Sequence, residues 1–233
     1  MKNVLGFILL IFVLSTCEEH KTSNFKLTGS IKGLKKGTVY LQKELDSVRI
    51  NLDSMVITGE PEYLLQANIE DPILLYLKLY KNDGEEHYIP FFADEGETVI
   101  NTTLKNFYFD AEIQGSEQQK LLEEYLEVMT KFNDQNLELI EASFLAQKEK
   151  DSVKLDSLNK VSDALFKRKY TYTIQYALNH NNSEVAPYLA LYEIPNANPV
   201  YVDSIYKGLT EKVKQSYYGN KLKERLKTNE EMP

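Results

Sequence analysis

The chain has 233 residues, enough for one large domain or two small ones, and its 42% hydrophobic and 27% charged residues exclude wholesale disorder. Acidic residues outnumber basic ones 35 to 27, a net charge of −8, which argues against non-specific nucleic-acid binding through phosphate neutralisation. The single cysteine excludes an intramolecular disulfide, a CxxC redox pair and a multi-thiolate zinc site.

Met1-Lys2-Asn3 gives a short positive start, and Val4 to Leu14 follows as an uncharged apolar run. That run is too short to span a hydrocarbon core of ~30 Å and has the length and flanks of a secretory signal. The only cysteine follows directly, in Leu14-Ser15-Thr16-Cys17. This order resembles the lipobox of bacterial lipoproteins. The resemblance implies that residues 1–16 are removed and that Cys17 becomes the acylated first residue, a lipidation site holding the protein on a lipid bilayer. Each buried CH₂ adds about 0.8 kcal/mol, so several acyl chains anchor stably without a membrane span. Residues 17–23 form a polar tether, and its Glu18-Glu19 pair resembles the surface-export signal of some Bacteroidetes lipoproteins. A lipid-anchored place in the cell envelope, at the outer membrane, is therefore expected.

Residues 24–115 contain seven glycines and three prolines, whereas Ser116 to Ala186 contains neither. These residues punctuate turns, so the first stretch reads as a β domain and the second as long helices. Strands are expected at Phe25 to Ile31, Thr38 to Leu41, Val48 to Ile57, Tyr63 to Ile69, Ile73 to Leu79, His87 to Phe92, Thr98 to Thr102 and Phe107 to Ile113. Asn82-Asp83-Gly84 is a hairpin signal. Eight short strands at this spacing predict an antiparallel β-sandwich or barrel.

Residues 116–228 form the expected helical domain. Ser116 to Gln119 reads as a capping box, with Ser116 as N-cap and Gln119 reaching back. Apolar residues from Leu122 to Phe144 and from Leu155 to Phe166 recur at helical steps, and Asp151-Ser152 marks a break between two helices of about 30 residues. Two such helices form an antiparallel hairpin. Short helices follow at Glu184 to Ile194, Val202 to Leu209 and Ser216 to Leu226, with Pro187 tolerated in a first turn and residues 229–233 as a tail. The fold class is α+β: an N-terminal antiparallel β-sandwich or barrel, then a long α-helical hairpin and short C-terminal helices.

Five segments stand out in order along the chain: Phe25-x-Leu27-x-Gly29-x-Ile31-x-Gly33, Gly37-x-Val39-Tyr40-Leu41, Asp53-Ser54 with Val56-x-x-Gly59, Asn182-Ser183-x-Val185-Ala186-Pro187-Tyr188-Leu189 and Ser216-x-Tyr218-Gly219-x-x-Leu222. Together they resemble a family of Bacteroidetes lipoproteins that carry an N-terminal domain of unknown function (number 4369) and a helical insertion. Many of these also carry a C-terminal thioredoxin-like domain of the TlpA or ResA kind. A WCxxC active site is missing from this sequence, and a lipidated Cys17 leaves no free thiol, so the family's disulfide chemistry does not carry over.

The sequence holds no catalytic constellation and no cofactor motif. His20, His87 and His180 are not at metal-ligand spacing, and His180 reads as a helix-end residue favoured by the dipole. Asp94-Glu95-Gly96-Glu97 lacks the ligand spacing of a calcium loop and reads as a turn. The acidic groups around Glu44, Asp46, Asp53 and Glu123 read as solvated faces. Nine of the 16 tyrosines lie from Tyr170 onward. Tyrosine combines an apolar face with a polar tip, so Tyr188, Tyr192, Tyr217 and Tyr218 are a candidate interaction surface for a glycan or a protein. Helix packing is the competing explanation. The expected function is a non-enzymatic, lipid-anchored binding module with an envelope protein as a candidate partner and no nucleic acid. The alternative is an accessory or truncated relative of a thioredoxin-like thiol-disulfide oxidoreductase that needs a separate redox partner.

Overall fold

The structure, a computed structural model, describes residues 23–45, 48–81 and 84–231. Cys17, His20 and Asp46 lie outside the described residues, as do Asn82 and Asp83 of the hairpin signal.

Eight strands form the N-terminal part: β1 (Phe25–Lys32), β2 (Lys36–Leu45), β3 (Val48–Thr58), β4 (Glu62–Ala67), β5 (Ile73–Tyr80), β6 (Glu86–Ala93), β7 (Gly96–Thr103) and β8 (Glu112–Gln114). They make two four-stranded sheets, ordered β4-β1-β7-β8 and β3-β2-β5-β6, so the part is a sandwich and not a closed barrel. The cause is the period-two pattern. On β5, Ile73, Leu75, Leu77 and Leu79 are buried, while Leu74, Tyr76, Lys78 and Tyr80 alternate with them and stay partly exposed. Phe25, Leu27, Leu41, Leu65 and Phe91 meet the buried β5 side chains in the same core.

Two details depart from the sequence reading. First, β1 and β7 pair in parallel. The chain crosses to the second sheet twice before β7 returns beside β1, and local turn signals do not encode that return. Second, the strand expected over Phe107 to Ile113 shrinks to residues 112–114, because 104–110 folds into turns. Thr102 Oγ1 donates to Phe107 O and Thr103 Oγ1 donates to Asp110 Oδ2, both at 2.7 Å. Phe107 is buried in this turn, a plug and not a strand residue.

One glycine is essential to the first sheet. A Cβ on Gly29 at φ +150° would lie 1.9 Å from the Ile100 carbonyl oxygen, which also accepts the Tyr63 hydroxyl at 2.7 Å.

The helical part begins with α1 (Glu117–Glu149), and α2 (Ser152–Asn179) returns antiparallel beside it. Ser116 caps α1 by accepting the Gln119 N–H at 3.0 Å. Gln119 does not complete a capping box. Its oxygen accepts the Phe92 N–H at 2.7 Å and its amide donates to Glu123 at 2.8 Å. The break falls where the sequence placed it. Lys150 turns left-handed at φ 57°, and Asp151 caps α2 by accepting the Lys154 N–H at 2.9 Å. Tyr125, Tyr172 and Tyr176 stack between the helices, with the Tyr176 hydroxyl donating to Leu121 O at 2.6 Å.

Four shorter helices follow: α3 (Val185–Tyr192), α4 (Pro199–Gly208), α5 (Glu211–Gln215) and α6 (Tyr217–Glu231). The helix α6 runs to Glu231, so the backbone of residues 229–231, assigned to the tail by the sequence, is helical. A single hydrophobic cluster joins the sandwich, the base of the hairpin, α3 and α6.

Candidate functional site

The sheet β3-β2-β5-β6 has an outer face carrying the second set of β5 side chains. At one end of that face α3 and α6 cover Leu74 and Phe92; Phe92 packs edge-on against Tyr188 at 5.5 Å and against Tyr218 at 5.7 Å. Beyond this cover a cleft of about 470 Å³ opens, lined by Glu44, Leu74, Tyr76, Tyr188, Tyr192, Tyr217, Tyr218 and Lys221. All four tyrosines singled out in the sequence line it.

Their placement follows from local structure. Tyr188 and Tyr192 are one turn apart on α3, with ring centres 5.0 Å apart. Tyr217 and Tyr218 open α6, whose start is fixed by the Tyr217 N–H donating to Asp71 Oδ2 at 2.8 Å. Gly219 permits this start, because a Cβ there would lie 1.9 Å from Val213 O. Tyr218 is only 3% exposed and its hydroxyl accepts the Leu74 N–H at 3.1 Å, which pins α6 to β5. Its ring meets Tyr188 at 5.4 Å and Tyr192 at 6.2 Å, both edge to face. Thus Tyr218 is the floor, Tyr188 a wall, and Tyr192, 47% exposed, the rim.

Sequence reading missed Glu44, Leu74, Tyr76 and Lys221. The outward phase of Tyr76 was readable from the β5 alternation, but which element would face it was not. The Arg49 guanidinium lies 4.2 Å over the Tyr76 ring and 4.6 Å over Tyr88, and its Nε is 3.3 Å from Glu44. This fixes the orientation of both Glu44 and Tyr76. The Lys221 ammonium lies 5.5 Å from the centre of the Tyr217 ring, and Lys43 approaches the same ring at 5.3 Å.

Burial pushes the Tyr188 and Tyr218 phenols far above the ordinary range. Burial, then the nearby Glu44 carboxylate, also raises Tyr76. At Lys221 burial acts downward, but Tyr192 and Tyr217 outweigh it and the net shift is upward. The cleft therefore presents the neutral phenols of Tyr76, Tyr188 and Tyr218 together with the Glu44 carboxylate and the Lys221 ammonium.

The remaining candidates have structural partners. His180 is the C-cap of α2, its ring 4.1 Å from that of Tyr176. His87 lies on β6 beside Phe107, ring centres 6.0 Å apart. Asp94 Oδ2 accepts from Ser116 Oγ and from the Gln118 N–H, Glu95 accepts from Asn24, and Glu97 accepts from Thr28. Among the described residues no group of three or more His, Cys, Asp or Glu is arranged to hold a metal. None of the described helices is long and apolar enough to cross a membrane.

The fold and cleft define a two-sheet sandwich whose outer face is roofed by helices that follow it in the chain. Residues 25–122 match the family model described as "Domain of unknown function (DUF4369)", so this N-terminal part is a domain of that family. The match covers all eight strands and runs into α1 as far as Leu122, which is buried. No curated protein and no solved structure matches the chain.

Proposed function

We propose that this protein is an envelope lipoprotein, held by acyl chains on Cys17, that binds a short glycan non-enzymatically in the tyrosine cleft. The observation that carries the binding reading is the convergence of Tyr76, Tyr188, Tyr192, Tyr217 and Tyr218 around one space of about 470 Å³. That volume is in the range of small-molecule sites and too small for a protein surface. Apolar ring faces beside hydroxyl tips match a sugar, which alternates C–H faces with hydroxyls. Glu44 and Lys221 add one acceptor and one donor group at the edges. The lipobox order Leu14-Ser15-Thr16-Cys17 supports the anchor.

Titration calorimetry of the full chain in detergent against a panel of neutral and charged oligosaccharides tests the binding. Tyr192→Ala should weaken it at least tenfold without moving the melting temperature. A wild-type protein that melts cooperatively and binds nothing in the panel removes the glycan reading. Anchoring is tested separately: Cys17→Ala should abolish fatty-acid labelling and release the protein from membranes.

The ordered resemblance to thioredoxin-carrying lipoproteins favours a second reading, an accessory to a separate oxidoreductase. A WCxxC-encoding reading frame directly downstream, whose product co-purifies with this chain, supports it.

A further inference from the structure

The far half of the α1–α2 hairpin extends past the sandwich and exposes an apolar stripe. Leu137, Ile140 and Phe144 are 62%, 46% and 69% exposed, and Phe166 on α2 is 59% exposed. Their spacing of three and four residues puts the α1 members on one helix face. Phe166 shares a groove with Asn133 and Asn136, which precede that stripe on α1, so all four lie on one side of the hairpin. Isolated apolar residues on a surface need no explanation, but a stripe shared by two helices does.

We infer that this face is where a second copy of the chain docks, two hairpins pairing face to face into an antiparallel four-helix bundle. Charge complementarity selects the occupant. From Asp134 to Glu149, α1 carries four acidic residues and one lysine; from Ser152 to Arg168, α2 carries four basic residues and two acidic ones. A two-fold axis parallel to the helices lays each α1 against the partner's α2, acidic helix against basic helix, every neighbour antiparallel. The alternative two-fold, perpendicular to the helices, sets α1 against α1 and repels.

The register agrees. Glu141 and Lys160 stand equally far from the Lys150–Asp151 turn, as do Asp134 and Lys167. Helical phase puts Glu141 on the outer edge of α1 and Lys160 on the outer edge of α2, so within one chain they stay apart. The two-fold parallel to the helices brings each beside its counterpart in the other copy. The face is about 25 Å long and two helices wide, so pairing buries roughly 1,000 Å² in total, at the low end of specific interfaces. The dimer is therefore reversible.

Sedimentation velocity of the full chain in density-matched detergent tests this. The wild type should shift from monomer to dimer between about 1 and 100 µM, the range expected for a small interface. Ile140→Glu and Phe144→Glu, at solvent-exposed positions, should each weaken pairing at least tenfold and keep the wild-type melting temperature. Glu141→Lys should weaken it, and Glu141→Lys with Lys160→Glu should restore it, a rescue that a folding defect cannot produce. A monomer throughout, a dimer indifferent to both Ile140→Glu and Phe144→Glu, a double charge reversal that fails to restore pairing, or a monomer that captures a different protein on this face overturns the inference.

Discussion

Gln119 and Phe92 are joined inside the protein: the Gln119 side-chain oxygen accepts the Phe92 backbone N–H at 2.7 Å, and Gln119 is only 5% exposed. The bond ties the first turn of α1 to β6 at the point where Phe92 supports Tyr188 and Tyr218. The sandwich, the hairpin and the cleft thus share one anchor, and Leu122 buries its side chain just beyond it.

Gln119→Ala leaves the Phe92 N–H buried and unpaired. An orphaned buried donor costs about 1–3 kcal/mol, so the midpoint of urea unfolding should fall accordingly. An unchanged midpoint would mean that another acceptor replaces the lost one.

Tyr218 and Tyr192 should separate stability from binding. Tyr218→Phe keeps the ring but removes the oxygen that accepts the Leu74 N–H, again at a cost of about 1–3 kcal/mol. Tyr192→Ala removes a half-exposed rim residue and should leave the melting temperature in place while moving the ligand-induced change in tyrosine fluorescence to at least tenfold higher ligand concentration. Thermal melts and fluorescence titrations of the two variants, side by side, check the contrast.

Much of this was readable from residue spacing. The alternation along Ile73 to Leu79 gave β5 and its buried face. The gap in glycine and proline after Gly115 gave the hairpin, and Asp151 gave its turn. Local patterns failed where a residue answers to a distant partner. Gln119 sits at a capping-box position, yet Phe92 claims its oxygen. Phe107 has strand-like neighbours, yet the Thr102 hydroxyl holds it in a turn. The four C-terminal tyrosines were visible as a group; that Tyr76 and Glu44 face them depends on how α3 and α6 settle on the sheet, a packing outcome with no local signature. The parallel β1–β7 pair is of the same kind.

Gly219→Ala should be far more damaging than an alanine in a helix usually is. The added Cβ would meet the Val213 carbonyl at 1.9 Å, and that oxygen belongs to backbone that cannot turn aside. A loss of about 3 kcal/mol or more is expected, together with loss of the cleft, because Tyr217 and Tyr218 depend on the start of α6. Limited proteolysis should cut first near residue 216 in this variant, whereas wild-type kinetics would show that α6 can shift as a unit.

Alkaline pH should destabilise the fold through its buried phenols. Burial raises Tyr63, Tyr188 and Tyr218 well above the ordinary value of about 10. A phenol with a raised folded-state pKa favours the neutral form in the native protein. Its contribution is fully present below pH of about 10 and is lost as pH rises beyond that. Absorbance at 295 nm should show a first set of tyrosines ionising near the ordinary value and a second set ionising only with unfolding. A single smooth transition with the fold intact contradicts this.

Lys150 is the one described non-glycine residue at positive φ, 57°, and it closes α1 with its N–H donating to the Ala146 and Gln147 carbonyls. A left-handed conformation costs an L-residue about 1–2 kcal/mol, and glycine avoids most of that cost at a helix C-terminus. Glycine also gains freedom in the unfolded chain, which returns up to about 1 kcal/mol. The net expectation for Lys150→Gly is a gain of about 0.5–1 kcal/mol, since the left-handed penalty is the larger of the two terms. Because the bond pattern of the turn is unchanged, the hairpin should keep its register, and the rise in unfolding midpoint should come without a change in the dependence on denaturant. A lower midpoint would show that the lysine side chain makes a contribution at the tip that outweighs its backbone strain.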